Sequence, residues 1–175
     1  DGTKFGKTES GTIWLDARKT SPYAFYQFWL NTADADVYQF LRYFTFLPVD
    51  QIDQIEADDK AREGRPEAQR ILAKEVTALV HGADGLAAAQ RITEALFAGD
   101  ASGLGAADLE QLALDGLPAS TLDLENSPPT LSQLLSESGM VSSGKQVKDA
   151  LKNKAVFING NAVEAEPSVA VSEGF

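Results

Sequence analysis

The chain has 175 residues, 43% of them apolar, which is enough for one sizeable core or for two smaller domains. It contains no cysteine and one histidine, which excludes disulfide bonds and thiolate metal sites and argues against a clustered zinc site. The formal charge of -11 argues against indiscriminate binding of nucleic acid, because phosphate contacts need a basic surface. No apolar run is long enough to span a membrane.

Two lysines bracket a glycine near the start of the chain, in Lys4-Phe5-Gly6-Lys7-Thr8. Glycine lets the backbone approach a ligand closely, and a lysine ammonium is a compact charge that suits a phosphate oxygen. The segment is either an anion-binding loop or an ordinary solvated turn, and five residues by themselves favour the turn. A short extended apolar run follows at residues 12–15.

Five or six helices joined by short loops are predicted between residues 21 and 115. Ser21 and Pro22 are typical of a helix start, and the helix they open is crowded with aromatic side chains. Packing in a core or against a second domain is favoured over a stacking platform for bases, because no basic residue is interleaved. The predicted helices are Tyr23 to about Asn31, Ala33 or Asp34 to Phe46, about Val49 to Ala61, Pro66 to Val80, Asp84 to Phe97 and about Ala106 to Leu114.

Two groups of titratable residues in these helices invite a functional interpretation. His81 lies at a predicted helix end, where capping by the charged imidazole, or packing, is favoured over catalysis. The third helix carries an acidic face without the spacing of a calcium loop, so a solvated surface is favoured over a cation site. Its carboxylates belong to Asp53, Glu56, Asp58 and Asp59.

A small α+β module is predicted after a linker at residues 116–129, which glycine, asparagine and proline punctuate. Its first helix runs from Thr130 to Ser138, and its second is capped by Ser142-Ser143 and extends to about Asn153. A hairpin turning at Asn159-Gly160 follows. The predicted fold class is therefore mainly α, a helical bundle followed by a small α+β module.

Lysines are concentrated near the second helix of this module. Residues 36–127 carry seven basic and seventeen acidic side chains, whereas Lys145, Lys148 and Lys152 lie at i, i+3 and i+7, on one helix face. Lys154 follows beside the hairpin. The four lysines form either a phosphate-binding surface for RNA or a solvated face, and charge alone does not decide between the two.

Several segments together resemble the bacterial tyrosyl-tRNA synthetases. The first resembles the Lys-Met-Ser-Lys-Ser signature of the class I enzymes in its tyrosyl form, and the similarity continues from Asp1 to about Val163. The segments that match the family are Lys4-Phe-Gly-Lys-Thr8, Thr12-Ile-Trp-Leu-Asp16, the stretch from Thr20 to Val37, Leu79-Val-His-Gly82 and Gln90-Arg-Ile-Thr-Glu94.

The resemblance implies the C-terminal part of such an enzyme, without the Rossmann-like catalytic domain that binds tyrosine and ATP. Residues 1–20 would hold the signature loop and a connector, residues 21–115 an α-helical domain for the tRNA anticodon arm, and residues 130–175 part of a small RNA-binding domain. In the signature, Lys4 and Lys7 would be catalytic and, with Gly6 and Thr8, would bind the ATP phosphates.

The implied partner is tyrosine tRNA, and the implied enzyme is a cytoplasmic homodimer that uses ATP with magnesium to form tyrosyl-adenylate. This chain alone would be inactive and would bind no cofactor, metal, membrane or DNA. In the small domain the family's usual arginine corresponds to Gly144, so positive charge has moved to Lys145 and Lys148. The alternative is a non-catalytic RNA-binding or protein-interaction module descended from a synthetase.

Overall fold

The structure is a computed structural model that describes residues 7–8, 11–120, 129–141, 143–158 and 161–163. It is mainly helical, which confirms the predicted fold class, and the described strands form two antiparallel pairs. Its elements are β1 (Lys7–Thr8), β2 (Gly11–Thr12), α1 (Pro22–Leu30), α2 (Val37–Phe44), α3 (Val49–Ala61), α4 (Ala68–Ala98), α5 (Ala106–Leu114), α6 (Leu131–Glu137), α7 (Gly144–Lys152), β3 (Phe157–Ile158) and β4 (Asn161–Ala162).

The chain divides into two units, Asp1–Thr93 and Glu94–Phe175. The domain boundaries expected near residues 115 and 129 stay predictions, and most of the expected linker, residues 121–128, lies outside the described residues. In the part of the chain that the structure describes, no helix is both long and apolar enough to cross a membrane.

The aromatic helix α1 forms the centre of the first core, as predicted. Ser21 caps it, since its Oγ accepts the Ala24 N–H at 3.0 Å, and Pro22 occupies the first turn. Trp29 is 4% exposed, and ring contacts surround it. Its partners and centroid distances are Phe25 at 6.1 Å, Phe28 at 5.3 Å, Phe40 at 6.2 Å and Phe44 at 5.1 Å.

Helices α2, α3 and α4 complete this core with aliphatic side chains at helical spacing. Helix α2 begins at Val37, later than expected, because residues 34–36 form a turn. Polar links reinforce the packing, including the hydrogen bond from Gln27 Nε2 to Thr93 Oγ1 at 2.8 Å. The aliphatic residues of the core are Val37, Leu41, Ile52, Ala68, Leu72, Ala73, Val76 and Ala89.

The prediction that Asp59 belongs to a solvated acidic face is wrong, because its side chain is buried and caps α4. Asp59 Oδ1 accepts the Glu67 N–H at 2.8 Å, and Oδ2 accepts the Ala68 N–H at 3.0 Å and the Tyr38 hydroxyl at 3.2 Å. The first backbone N–H groups of a helix have no partner within the helix, and this carboxylate supplies one. Burial and the neighbouring carboxylate raise the pKa of Tyr38.

The other acidic residues of α3 remain on the surface. Arg42 contacts Asp53 at 2.7 Å and Glu56 at 3.3 Å, and Lys60 contacts Glu56 at 2.8 Å. Exposed pairs of this kind contribute little to stability. No cluster of three potential metal-binding side chains occurs among the described residues.

Helix α4 is broken at Gly82, where φ is 73°, so it comprises the two helices that the sequence predicts. His81 precedes the break and packs edge to face on Phe25 with ring centroids 4.8 Å apart. Of the two roles expected for His81, capping and packing, the structure shows packing, and burial lowers the pKa of its imidazole.

The second unit contains α5 and the small module. Helix α5 begins at Ala106 and buries Leu112, and Asp108 Oδ2 accepts the Gly105 N–H at 3.0 Å. In the module, α6 contacts α7, and β3 pairs with β4 in the register Phe157 to Ala162. The predicted turn residues Asn159-Gly160 lie outside the described residues. The buried apolar residues of the described module are Leu131, Val147 and Val156.

Candidate nucleic-acid interface

Helix α7 presents a buried and a charged face. Ser143 begins the helix, with Oγ accepting the Gln146 N–H at 3.4 Å, whereas Ser142, named with it as a cap, lies outside the described residues. Val147 is buried, and Ala150 and Leu151 are half-buried. Their spacing of i, i+3 and i+4 turns one side of α7 toward the module's interior and leaves the other side to solvent.

The lysines occupy the exposed side of α7, in agreement with the prediction that they share one helix face. Lys145, Lys148 and Lys152 fall within an arc of roughly 60° at 3.6 residues per turn. None of the three makes a salt bridge with an acidic residue in the described part of the chain. Lys154, just beyond the helix, is also exposed. We call these four residues the lysine surface.

Lys154 adopts an unusual backbone conformation, with φ at 54°. Its N–H donates to Leu151 O at 3.0 Å and the Ala155 N–H donates to Ala150 O at 2.9 Å, a pair of bonds that ends a helix in a Schellman motif. The position usually favours glycine, because the left-handed conformation costs other residues about 1–2 kcal/mol. Lys154 is therefore expected to make the module less stable than glycine would at the same position.

Sequence reasoning missed one exposed residue beside this surface. Phe157 was predicted only as part of a strand, yet it opens β3 with its side chain 63% exposed. The sequence offered no signal, because residues 155–158 are a continuous apolar run. In the structure Val156 is buried, and side chains along a strand point to opposite faces in turn.

The signature segment is only partly described. Lys4 and Gly6 lie outside the described residues, and of Lys7 and Thr8 only the backbone is described. That backbone is β1, which pairs Lys7 with Thr12 and Thr8 with Gly11. The second half of the predicted loop is thus one strand of a short antiparallel pair, and the roles expected for the four residues stay predictions.

The connector between β2 and α1 is held by local polar contacts. Arg18 donates to Asp16 at 3.0 Å from Nε and 2.8 Å from Nη2, and these bonds lower the pKa of Asp16 to about 2. Thr20 Oγ1 accepts the Trp14 N–H at 2.9 Å, and the Lys19 ammonium lies 4.3 Å from the Trp14 ring centroid. These contacts fix the path from β2 to the start of α1.

Two family models match the chain. The model described as tRNA synthetases class I (W and Y) matches residues 1–98, and the S4 domain model matches residues 122–165. The lysine surface lies within the second match. The S4 match therefore overlaps residues 130–165 of the predicted small module, which the resemblance identified as RNA-binding.

Individual proteins agree with these models. A tyrosine–tRNA ligase of Aliivibrio fischeri strain MJ11 is 59% identical over 173 residues, which cover 99% of this chain and 40% of that protein. A tyrosine–tRNA ligase of Chromobacterium violaceum is 59% identical over 165 residues, 94% of this chain and 38% of that protein. The chain thus spans about two fifths of the length of these relatives, and the expected resemblance to tyrosyl-tRNA synthetases is confirmed.

A solved structure was also found to be similar. It is a C-terminally truncated mitochondrial tyrosyl-tRNA synthetase of Aspergillus nidulans, with 38% identity and a TM-score of 0.46. The alignment covers 51% of this chain and 25% of that chain.

Proposed function

Because the chain belongs to the tRNA synthetases class I (W and Y), we propose that it supplies the tRNA-binding part of a tyrosine–tRNA ligase. The tyrosine-specific names of the relatives support the choice of amino acid. In this proposal the partner is tyrosine tRNA, and the complete protein is a cytoplasmic homodimer. The S4 match and the lysine surface support RNA as the ligand.

The observation that carries the proposal is the lysine surface on α7. Three lysines on one face rise about 10 Å along the helix axis, and a fourth follows at its end. Each is exposed, and an ammonium can replace a counterion at a phosphate. In a chain with a formal charge of -11, such a surface directs the RNA backbone to one place.

The first experiment reverses this charge and measures affinity for a tyrosine tRNA transcript. The triple variant Lys145→Glu, Lys148→Glu and Lys152→Glu is expected to bind at least tenfold more weakly, since each lost phosphate contact weakens binding. The matched triple change to arginine keeps the charge and is expected to keep the affinity. If the glutamate variant binds as tightly as the unmodified chain, the lysine surface is not the RNA-binding site.

A second control separates local from overall charge. Changing Lys60, Arg70 and Lys74 to glutamate alters the formal charge by the same six units, on helices α3 and α4. We expect a smaller loss of affinity than for the α7 variant. Equal losses would contradict a special role of the lysine surface, because net charge, or contacts of the helical domain that the resemblance assigns to the anticodon arm, would then account for binding equally well.

The signature would act in the complete enzyme, in the reaction of ATP with tyrosine. Attack at the α-phosphate places growing negative charge on the pyrophosphate, and Lys4 and Lys7 would offset that charge, with Gly6 and Thr8 contributing backbone and hydroxyl contacts. In a protein of the relatives' full length, Lys7→Ala is expected to slow adenylate formation by orders of magnitude with little change in tyrosine affinity. Normal activation in a burst assay would contradict this role.

A further inference from the structure

The proposed function does not account for the exposed aromatic ring in the described part of the small module. Phe157 is 63% exposed at the first position of β3. Its cross-strand partner is Ala162, whose methyl side chain is too small to cover a phenyl ring. Both residues lie on the exposed face of the hairpin, and the phenyl ring is therefore open to a ligand from outside.

The end of α7 places this ring beside the lysine surface. Four residues separate α7 from β3, and the two hydrogen bonds of the Schellman motif fix the chain reversal between them. The Cα atoms of Lys154 and Phe157 are at most about 11 Å apart, the length of three extended residues. Both side chains are long enough to reach adjoining parts of one nucleotide, with the lysine on a phosphate and the ring on a base.

Local charge distinguishes Phe157 from Phe97, another strongly exposed aromatic residue. Phe97 is 94% exposed at the end of α4, but its charged neighbours in sequence are Glu94 and Asp100. Phe157 instead follows two lysines within five residues, Lys152 and Lys154. An apolar ring beside cations matches the chemistry of a nucleotide, which carries an aromatic base and an anionic phosphate.

We propose that Phe157 stacks on an unpaired base of the bound RNA while Lys152 and Lys154 hold the adjoining phosphates. The inference rests on the proposed function, that this module binds RNA, and adds the class of RNA that it prefers. The bases of a regular RNA duplex are stacked on each other and offer no free face. The module therefore selects a loop, bulge or unpaired nucleotide and not a continuous duplex.

The test compares Phe157→Leu and Phe157→Tyr on two RNAs, a tyrosine tRNA transcript and a blunt, fully paired RNA duplex. Leucine removes the π face, and loss of a stacked base is worth about 1–3 kcal/mol, which is about a 5- to 150-fold weaker affinity for the tRNA. Tyrosine keeps the ring and the affinity. Binding of the duplex is expected to be weaker and unaffected by either change.

Matched controls test whether the loss of affinity is specific to Phe157. Phe97→Leu makes the same change at a more exposed ring that has no lysine within ten residues in sequence, and no loss of affinity is expected. Circular dichroism of each variant confirms folding, since an exposed ring contributes little to stability. The fold-loss from Phe157→Leu is expected to be the same at low and high salt, because stacking, unlike phosphate contact, releases no counterions.

The outcomes separate this inference from the function on which it rests. If reversal of Lys145, Lys148 and Lys152 abolishes tRNA binding but Phe157→Leu leaves it unchanged, the stacking role is wrong and RNA binding stands. If neither change has an effect, the proposed function is wrong as well. If Phe157→Leu weakens tRNA and duplex equally, the ring contacts the backbone and does not select an unpaired base.

Discussion

The helical part of the first unit and the small module of the second use charge and burial in opposite ways. Helices α1 to α4 enclose an aromatic core, and Arg42, Lys60 and Arg62 on their surface are paired with carboxylates. The described module buries few apolar side chains, while Lys145, Lys148 and Lys152 make no salt bridge in the part of the chain that the structure describes. The difference is that the first region holds the larger apolar core, whereas the three lysines of the module are available to an anionic ligand.

The largest expected effect concerns the aromatic core. Trp29→Ala removes a buried indole that contacts four other rings, and we expect a loss of about 3–5 kcal/mol in the free energy of unfolding. Trp14→Ala is the matched control, because that indole is half exposed, and about 1 kcal/mol or less is expected. Denaturant unfolding followed by circular dichroism measures both. Equal losses would show that the ring cluster is not the source of stability.

The next effect concerns the buried cap of α4. Asp59→Ala removes the acceptor of two backbone N–H groups and of the Tyr38 hydroxyl, and a loss of about 2–3 kcal/mol is expected. Asp58→Ala changes the neighbouring, exposed carboxylate, so the change in free energy of unfolding should stay within about 0.5 kcal/mol. A loss for Asp59→Ala as small as that for Asp58→Ala would mean that water replaces the cap.

Asp59 illustrates what the sequence does and does not reveal. Helical period and punctuation predict α1, α3, α5 and the C-terminal hairpin, because these signals are local. The burial of Asp59 depends on the chain folding back after residues 63–66, so that α4 begins beside the end of α3. This is a tertiary contact. In the sequence, Asp59 is one of several acidic residues, and nothing distinguishes it as the buried one.

The same limit applies to the candidate site. Spacing alone places Lys145, Lys148 and Lys152 on one face, and the structure confirms that the face is exposed. The exposed ring of Phe157 depends on the small side chain paired with it across the hairpin, a matter of strand register. The identity of the family came from the combination of segments and not from lysine spacing, which any solvated helix can show.

Lys154 sharpens the contrast between stability and binding. Lys154→Gly relieves the left-handed backbone and is expected to stabilise the module by about 1 kcal/mol, while tRNA affinity falls with the lost charge. Lys152→Gly removes the same charge at the last residue of α7, where glycine costs up to about 1 kcal/mol. Amide hydrogen exchange in the module measures the change in stability for both variants. Destabilisation by both changes would contradict the account of Lys154.

A smaller effect is expected at Gly144, the first residue of α7. A Cβ placed there meets no atom within 4 Å, so Gly144→Arg is expected to fold normally. The added cation lies next to Lys145 and, by resemblance, at the family's arginine position. We expect tRNA affinity to rise severalfold, with Gly144→Gln as the uncharged control. Unchanged affinity of the arginine variant would place the RNA away from the start of the helix.

His81 gives the smallest and most local effect. Burial lowers its pKa in the folded protein, so the unfolded chain binds a proton first as the pH falls. The neutral ring's contribution is complete above the unfolded pKa of about 6.5 and is lost as the pH falls toward the lower folded value. The chain has no other histidine. His81→Leu is expected to flatten the dependence of stability on pH in this range, and proton NMR of the imidazole measures the folded pKa directly. A folded pKa at or above 6.5 would contradict the packing described for the ring.

The most direct test of the central claim is the salt dependence of tyrosine tRNA binding by the unmodified chain and by the variant with Lys145, Lys148 and Lys152 changed to glutamate. Each phosphate contact contributes about one unit to the slope of log affinity against log salt concentration. We expect the slope to become shallower by about three units in the variant. Identical slopes for the two proteins would contradict the claim that the lysine surface binds the RNA backbone.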